Sequence, residues 1–144
     1  WRIKQLGFKF MVEPTSTVYH VGGGTLPYSS PFKTFLNFRN SLFMITKNHN
    51  GWLFPKLFWR LCIDGIAGVN FFLKGEFKNT WMVIKSHFAL YAKMNELLKD
   101  RKILKTQRKN THLTGHYKGN IIWAYYFKGI RKFSDLNQRM IKKY

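Results

Sequence analysis

Acidic side chains are scarce in this chain of 144 residues, which has six of them against 25 lysines and arginines. The six are Glu13, Asp64, Glu76, Glu96, Asp100 and Asp135, and no two are spaced as an Asp-x-Asp metal pair. Glu96 and Asp100 stand four apart at the lysine-rich end of a helix, where solvated charge is the plainer reading. A centre that needs paired carboxylates around a cation therefore has little to draw on here. Cysteine is rarer still. Cys62 alone excludes an intrachain disulfide and a cysteine-based zinc site. It fits a reducing compartment, and its apolar neighbours predict a packed small hydrophobe.

Long apolar runs are missing too. A membrane-spanning helix needs about 20 apolar residues with few charges. Trp52 to Lys74 is the most hydrophobic stretch, yet Lys56, Arg60 and Asp64 interrupt it every four residues. There is no Gly-x-Gly-x-x-Gly or Walker spacing, no internal repeat and no heptad pattern. A charged leader with a small-residue cleavage site is also missing. The chain begins at Trp1, and its first residues read as the middle of a fold, so a piece of a longer protein is expected.

What is abundant is positive charge and aromatic surface: a formal net charge of +19, with 18% of residues Phe, Trp or Tyr. Such a field favours an anionic partner. Rings interleaved with lysines suit a membrane interface, where aromatics sit at headgroup level and cations meet phosphates. They also suit single-stranded nucleic acid, where bases stack on rings. Composition does not separate the two, and a plain interaction domain without a ligand is the third alternative.

Along the chain, Phe8 to Val12 alternates after Gly7 and predicts a strand from Ile3 to Val12, ended by Pro14. Thr15 to Val21 is a second β-rich stretch, and residues 22–31 form a loop of glycine, proline and serine. Ser30 as N-cap and Pro31 at the first position start a helix that closes in the Lys47–Gly51 turn. Trp52 to Lys74 reads as an amphipathic helix with Arg60 and Asp64 as an i, i+4 pair. Gly65 and Gly68 leave room for a close neighbour, and Gly75 breaks the helix. Phe77 to Leu98 is the next helix: Trp81, Ile84, Phe88 and Tyr91 face one way, Lys78, Lys85 and Lys93 another. Asp100 to Lys118 is basic and linker-like, Ile121 to Phe127 is an aromatic run, and Ser134 is placed to cap a last short helix.

The candidate ligand site is the run Val18 to Leu26, where His20 stands directly ahead of Gly22, Gly23 and Gly24. Glycine lets a ligand approach the main chain, and an imidazole at such a loop can hold a metal or a diphosphate. The alternative is a histidine satisfied at a strand end. His112 and His116, four apart in a linker-like segment, and His49 lack partners at ligand spacing, and His87 reads as packed or interfacial.

Several of these residues together resemble a known family. Trp1-Arg2-Ile3 with Gly7-Phe8-Lys9, Pro14 and the Val18 to Leu26 run are similar to the end of the catalytic domain of family 2 glycosyltransferases of the GT-A fold. Ser30 to Asn40, Asp64-Gly65-Ile66-Ala67-Gly68 and Lys74-Gly75-Glu76-Phe77 resemble the membrane-associated tail of rhamnosyltransferase-like bacterial members, especially of Bacteroidetes type. The resemblance runs from Trp1 to about Asp135. It implies transfer of a sugar from a nucleotide-sugar donor to a lipid-linked or polysaccharide acceptor, with a divalent metal, Mg or Mn. It also implies that His20 contacts the metal or the donor diphosphate beside Gly22, Gly23 and Gly24, and that Arg2 follows the acidic motif carrying the base.

That acidic motif and the metal-holding Asp-x-Asp are not in this sequence and are expected upstream, so the segment alone is expected to be inactive. The expected fold class is an α+β fragment. One or two short N-terminal strands from the edge of a GT-A α/β domain precede a mainly α-helical, amphipathic, membrane-associated region. The expected segments are 1–30, the end of the catalytic domain; 31–99, amphipathic helices; 100–120, a basic linker; and 121–144, an aromatic and basic tail. An anionic membrane surface is the expected partner, on the cytoplasmic face of the inner membrane. Nucleic acid is not expected, though a nucleic-acid-binding module remains the alternative.

Overall fold

The computed structural model describes residues 1–19, 30–109, 117, 119–137 and 141, with residue 122 by its backbone alone. The helices are α1 (Arg2–Gln5), α2 (Pro31–Asn48), α3 (Leu53–Leu73), α4 (Phe77–Ala92), α5 (Met94–Thr106) and α6 (Ile121–Tyr126), followed by a 3₁₀ turn over Phe133–Asp135. They fall into two compact units. One comprises Trp1–Phe10 with Arg108–Tyr144, and the other Met11–Gln107.

The larger unit is a set of four packed helices. α4 lies mainly against α2 and α3, and α5 packs on α2. Each helix gives one leucine to the centre: Leu42, Leu57, Leu90 and Leu97, flanked by Phe43, Ile45, Leu53, Leu61 and Met94. Pro31 occupies the first position of α2 and Pro55 its counterpart turn in α3, where a missing N–H costs no hydrogen bond. Ser30 does stand at the N-cap of α2. It contributes through its carbonyl, which accepts from the Lys33 and Thr34 amides at 3.0 and 3.3 Å, and its side chain makes no capping bond.

Polar groups close the lower end of this core. Arg101 of α5 donates to the carbonyls of Thr46 (3.0 Å) and Gly51 (3.1 Å), which satisfies the C-terminal end of α2 with a cation where the helix dipole favours one. Lys47 of α2 pairs with Asp100 of α5 at 3.1 Å. Helix α5 runs on to Thr106, seven residues into the stretch whose composition reads as a linker, because these cross-helix bonds give it a surface to lie on.

The α+β expectation is overturned. Among the described residues no strand forms, and the regular structure is helical. The residues expected to begin a strand at Ile3 form the one-turn helix α1. Gly7, at φ +93°, ends it, with the Gly7 amide bonding Lys4 and the Phe8 amide bonding Ile3, both at 3.1 Å. Phe8 to Val12 then continues without regular structure, and Met11 and Val12 are almost fully exposed. Alternation alone does not make a strand: its backbone groups need a neighbouring strand, and none of the described residues supplies one. The only pairing described is an isolated antiparallel bridge between Tyr117 and Ile141. Of the second β-rich stretch, residues 15–19 are also irregular, and residues 20 and 21 lie outside the described set.

Gly75 breaks the helix as expected, by the same geometry as Gly7. Its φ is +75°, and the amides of Gly75 and Glu76 bond the carbonyls of Phe72 and Phe71 at 2.9 Å. The close approach expected at Gly65 and Gly68 occurs at one of them: a methyl group at Gly68 would touch Val83 at 3.8 Å, while at Gly65 it would meet open space. Cys62 is exposed, which corrects the expectation of a packed thiol. The last helix expected from Ser134 is a single 3₁₀ turn with Ser134 inside it, as far as residue 137.

Candidate functional site

His20, Gly22, Gly23 and Gly24 lie outside the described residues, as do His112 and His116. Arg2 is exposed on α1. His49 stands at the C-cap of α2. Among the described residues no group of three or more His, Cys, Asp or Glu side chains could hold a metal ion. His20, which the resemblance assigns to the divalent metal, is not among those residues.

The acids explain themselves structurally. Glu13 accepts from the side chain and amide of Thr15, and these bonds hold its carboxyl below the usual range. Glu76 accepts from Asn79 Nδ2 at 2.7 Å, Glu96 pairs with Lys93 at 2.7 Å, and Asp135 accepts from Ser134 Oγ at 2.9 Å. Asp100 pairs with Lys47, and Asp64 with Arg60. All six carboxylates have partners inside the chain, and the formal net charge of the chain is +19.

Asp64 is the one acid in the core, 1% exposed on a mainly apolar helix. The Arg60 guanidinium meets it with two nitrogens, Nη2 at 2.9 Å from Oδ1 and Nε at 3.3 Å from Oδ2. The expected i, i+4 pair is therefore present. Sequence reasoning missed the third member, His87 of α4, whose Nε2 is buried 3.7 Å from Asp64 Oδ2, longer than a hydrogen bond. A carboxylate in a hydrophobic helix is itself the signal that a neighbouring element must bring polar groups to it.

A cavity of about 700 Å³ opens at the α3–α4 turn beside the start of α2, lined by Pro31, Thr34, Phe71, Gly75, Glu76, Phe77, Lys78 and Asn79. Its polar groups bond one another. Thr34 donates to Asn79 at 3.0 Å, and Asn79 to Glu76. It offers no converging set of catalytic groups.

The most distinctive surface lies on α3 and α4. At about 100° per residue, Phe54, Phe58, Cys62, Ile66, Val69 and Phe72 share one side of α3, an arc of roughly 120° without a charge. The large side chains on this outer face of α3, with Trp59 and Leu73 at its border and end, are 55–79% exposed. On α4 the stripe Phe77, Trp81, Ile84, Phe88 and Tyr91 also faces out, bordered by Lys78 and Lys85, while Val83, Ser86 and Leu90 face the core. Phe72 and Phe77 meet edge-to-face at 5.2 Å where the two helices join, so the stripes are continuous at that end. No helix among the described residues is long and apolar enough to cross a membrane. No family model, curated protein or solved structure matches the chain.

Proposed function

We propose that this chain attaches to an anionic membrane surface through the outer faces of α3 and α4, as the membrane-side segment of a glycosyltransferase. The observation that carries the attachment is the exposed, charge-free arc of α3 in a helix whose other side is fixed in a core. Contiguous exposed apolar surface of this extent marks an interaction site. Aliphatic members such as Ile66, Val69 and Ile84 favour acyl chains over nucleic acid, because a base gains its stacking energy from ring faces. Lys56, Lys74, Lys78 and Lys85 supply the cations that meet acidic headgroups. In this reading the helices lie in the plane of the cytoplasmic leaflet of the inner membrane, beside a lipid-linked acceptor.

The transferase part of the reading rests on the resemblance of Trp1 to about Asp135. Transfer from a nucleotide sugar needs a base for the acceptor hydroxyl and a cation for the leaving diphosphate. Because all six acids here have structural partners, those groups are assigned to sequence outside this chain. His20, with Gly22, Gly23, Gly24 and Arg2, is assigned to the donor side of that centre. In the enzyme that carries this segment, His20→Ala is expected to lower metal-dependent sugar transfer by about 100-fold. Unchanged turnover returns His20 to a structural role.

Attachment is measured by co-sedimentation with vesicles. Phosphatidylcholine containing phosphatidylglycerol is expected to bind at least about tenfold more tightly than phosphatidylcholine alone, since each basic residue near the surface contributes about 1 kcal/mol. The difference should shrink with salt as the screening length falls below about 10 Å. Equal binding to both vesicles, together with salt-sensitive binding to a single-stranded oligonucleotide, would move the function to nucleic acid.

A further inference from the structure

We infer that the smaller unit carries a second, independent membrane contact, the aromatic turn formed by α6 and the basic residues after it. The inference rests on the proposed attachment, and it adds a surface that neither α3 nor α4 contains. Six residues make the helix, opened by Asn120, whose side chain accepts from the Trp123 amide at 3.1 Å. Past its end the chain folds back, with the Lys128 amide bonding the Trp123 carbonyl (3.2 Å) and the Ile130 amide bonding that of Ala124 (3.0 Å). Ala124 faces inward and is buried. The large rings are left outside: Trp123, Tyr126 and Phe127 are all more than half exposed.

These rings are held in place by one another. Trp123 and Phe127 stack with centroids 4.2 Å apart, Tyr126 meets Tyr125 edge-to-face at 5.0 Å, and Arg131 lies 4.2 Å over the Tyr125 ring. Ordering exposed aromatics in this way sets their arrangement before any partner arrives, which lowers the entropy lost on binding. It also fits one partner better than another. Trp123 and Phe127 each give one face to the other, and Arg131 covers a face of Tyr125, so fewer faces remain for bases to stack on. What the turn presents is an apolar edge with polar Trp and Tyr tips, the composition that settles at headgroup depth.

Charge selects the kind of lipid. Lys128, Arg131 and Lys132 are exposed directly beside the rings, and the one acid nearby, Asp135, accepts from Ser134. Cations flanking interfacial aromatics match an acidic leaflet. The two units belong to one covalent chain, so once either is on the bilayer the other binds as an intramolecular event at high effective concentration.

The test uses full-length variants with one tryptophan each. In the first, Trp1, Trp52, Trp59 and Trp81 become Phe and Trp123 stays. In the second, Trp59 is the one kept. Each is mixed with vesicles of phosphatidylcholine and phosphatidylglycerol whose acyl chains carry bromine, a contact quencher. The expected result is quenching and a blue shift of emission in both. Quenching of Trp59 without Trp123 overturns this inference and leaves the α3 attachment standing. Quenching of Trp123 without Trp59 supports the inference and overturns the α3 attachment, and quenching of neither overturns both. Quenching of Trp123 by a single-stranded oligonucleotide in place of vesicles overturns the inference in favour of base stacking. Independently, Trp123→Ala with Phe127→Ala is expected to weaken vesicle affinity about 10- to 100-fold, because the second attachment point is lost. Unchanged affinity overturns the inference.

Discussion

Replacing Phe58, Ile66 and Val69 by glutamate is expected to release the protein from anionic vesicles while leaving it folded. The three side chains are 60, 71 and 59% exposed, so they contribute little to the core and much to whatever the outer face of α3 meets. Fully burying a side chain of this size stabilises by about 1.5–3 kcal/mol, so losing three partly used contacts forfeits roughly 3–6 kcal/mol. That corresponds to a drop in affinity of about two to four orders of magnitude. Glutamate forms helix well, so α3 itself should persist, and surface changes of this kind alter stability by only about 0.5 kcal/mol each. The matching glutamine variant separates lost apolar contact from the new repulsion by acidic headgroups. Undiminished vesicle affinity in the glutamate variant would show that attachment uses another surface. A collapsed unfolding transition would show that this face is packed in the native protein.

The second large effect concerns Arg60. Arg60→Met removes the bidentate partner of Asp64 and leaves a carboxylate that is 1% exposed, with His87 Nε2 at 3.7 Å. Breaking a buried pair from one side costs about 3–5 kcal/mol, because the remaining charge is enclosed without compensation. The reverse change is expected to be milder. Asp64→Leu leaves the Arg60 side chain 28% exposed, so its guanidinium reaches water. Changing both residues together should restore most of the loss, since an apolar pair of similar volume avoids the desolvation of two ions. Denaturant unfolding of the two single variants and the double variant closes the cycle. Equal, small losses in all three would mean that the pair contributes nothing to holding α3 on α4.

The start of α2 and the end of α3 were legible because they depend on a few neighbouring residues, whereas the break between α4 and α5 at Lys93, inside the helix expected over Phe77 to Leu98, was not. Pro31 sets the dihedral of the first turn of α2, and Gly75 takes the left-handed conformation that ends α3. The Arg60–Asp64 pair was legible for the same reason, being one turn apart on one helix. The strand expected over Ile3–Val12 failed because its alternation says nothing about a pairing partner. Helix α5 was underestimated because its hold on the fold comes from Arg101 and Asp100 reaching back to α2, some fifty residues earlier.

Composition and local signals thus establish a strongly cationic, aromatic chain with amphipathic helices broken at Gly75 and too charged in Trp52–Lys74 to span a bilayer. Packing settled which faces are inside. On α4 both sides carry apolar residues, so periodicity cannot choose between them. The smaller set Val83, Ser86 and Leu90 went inward because it fits against the neighbouring helices, and Trp81, Phe88 and Tyr91 were left out. The same enclosure put Asp64 in the core beside His87. Such outcomes depend on contacts between residues far apart in the chain, which no window of a few residues contains.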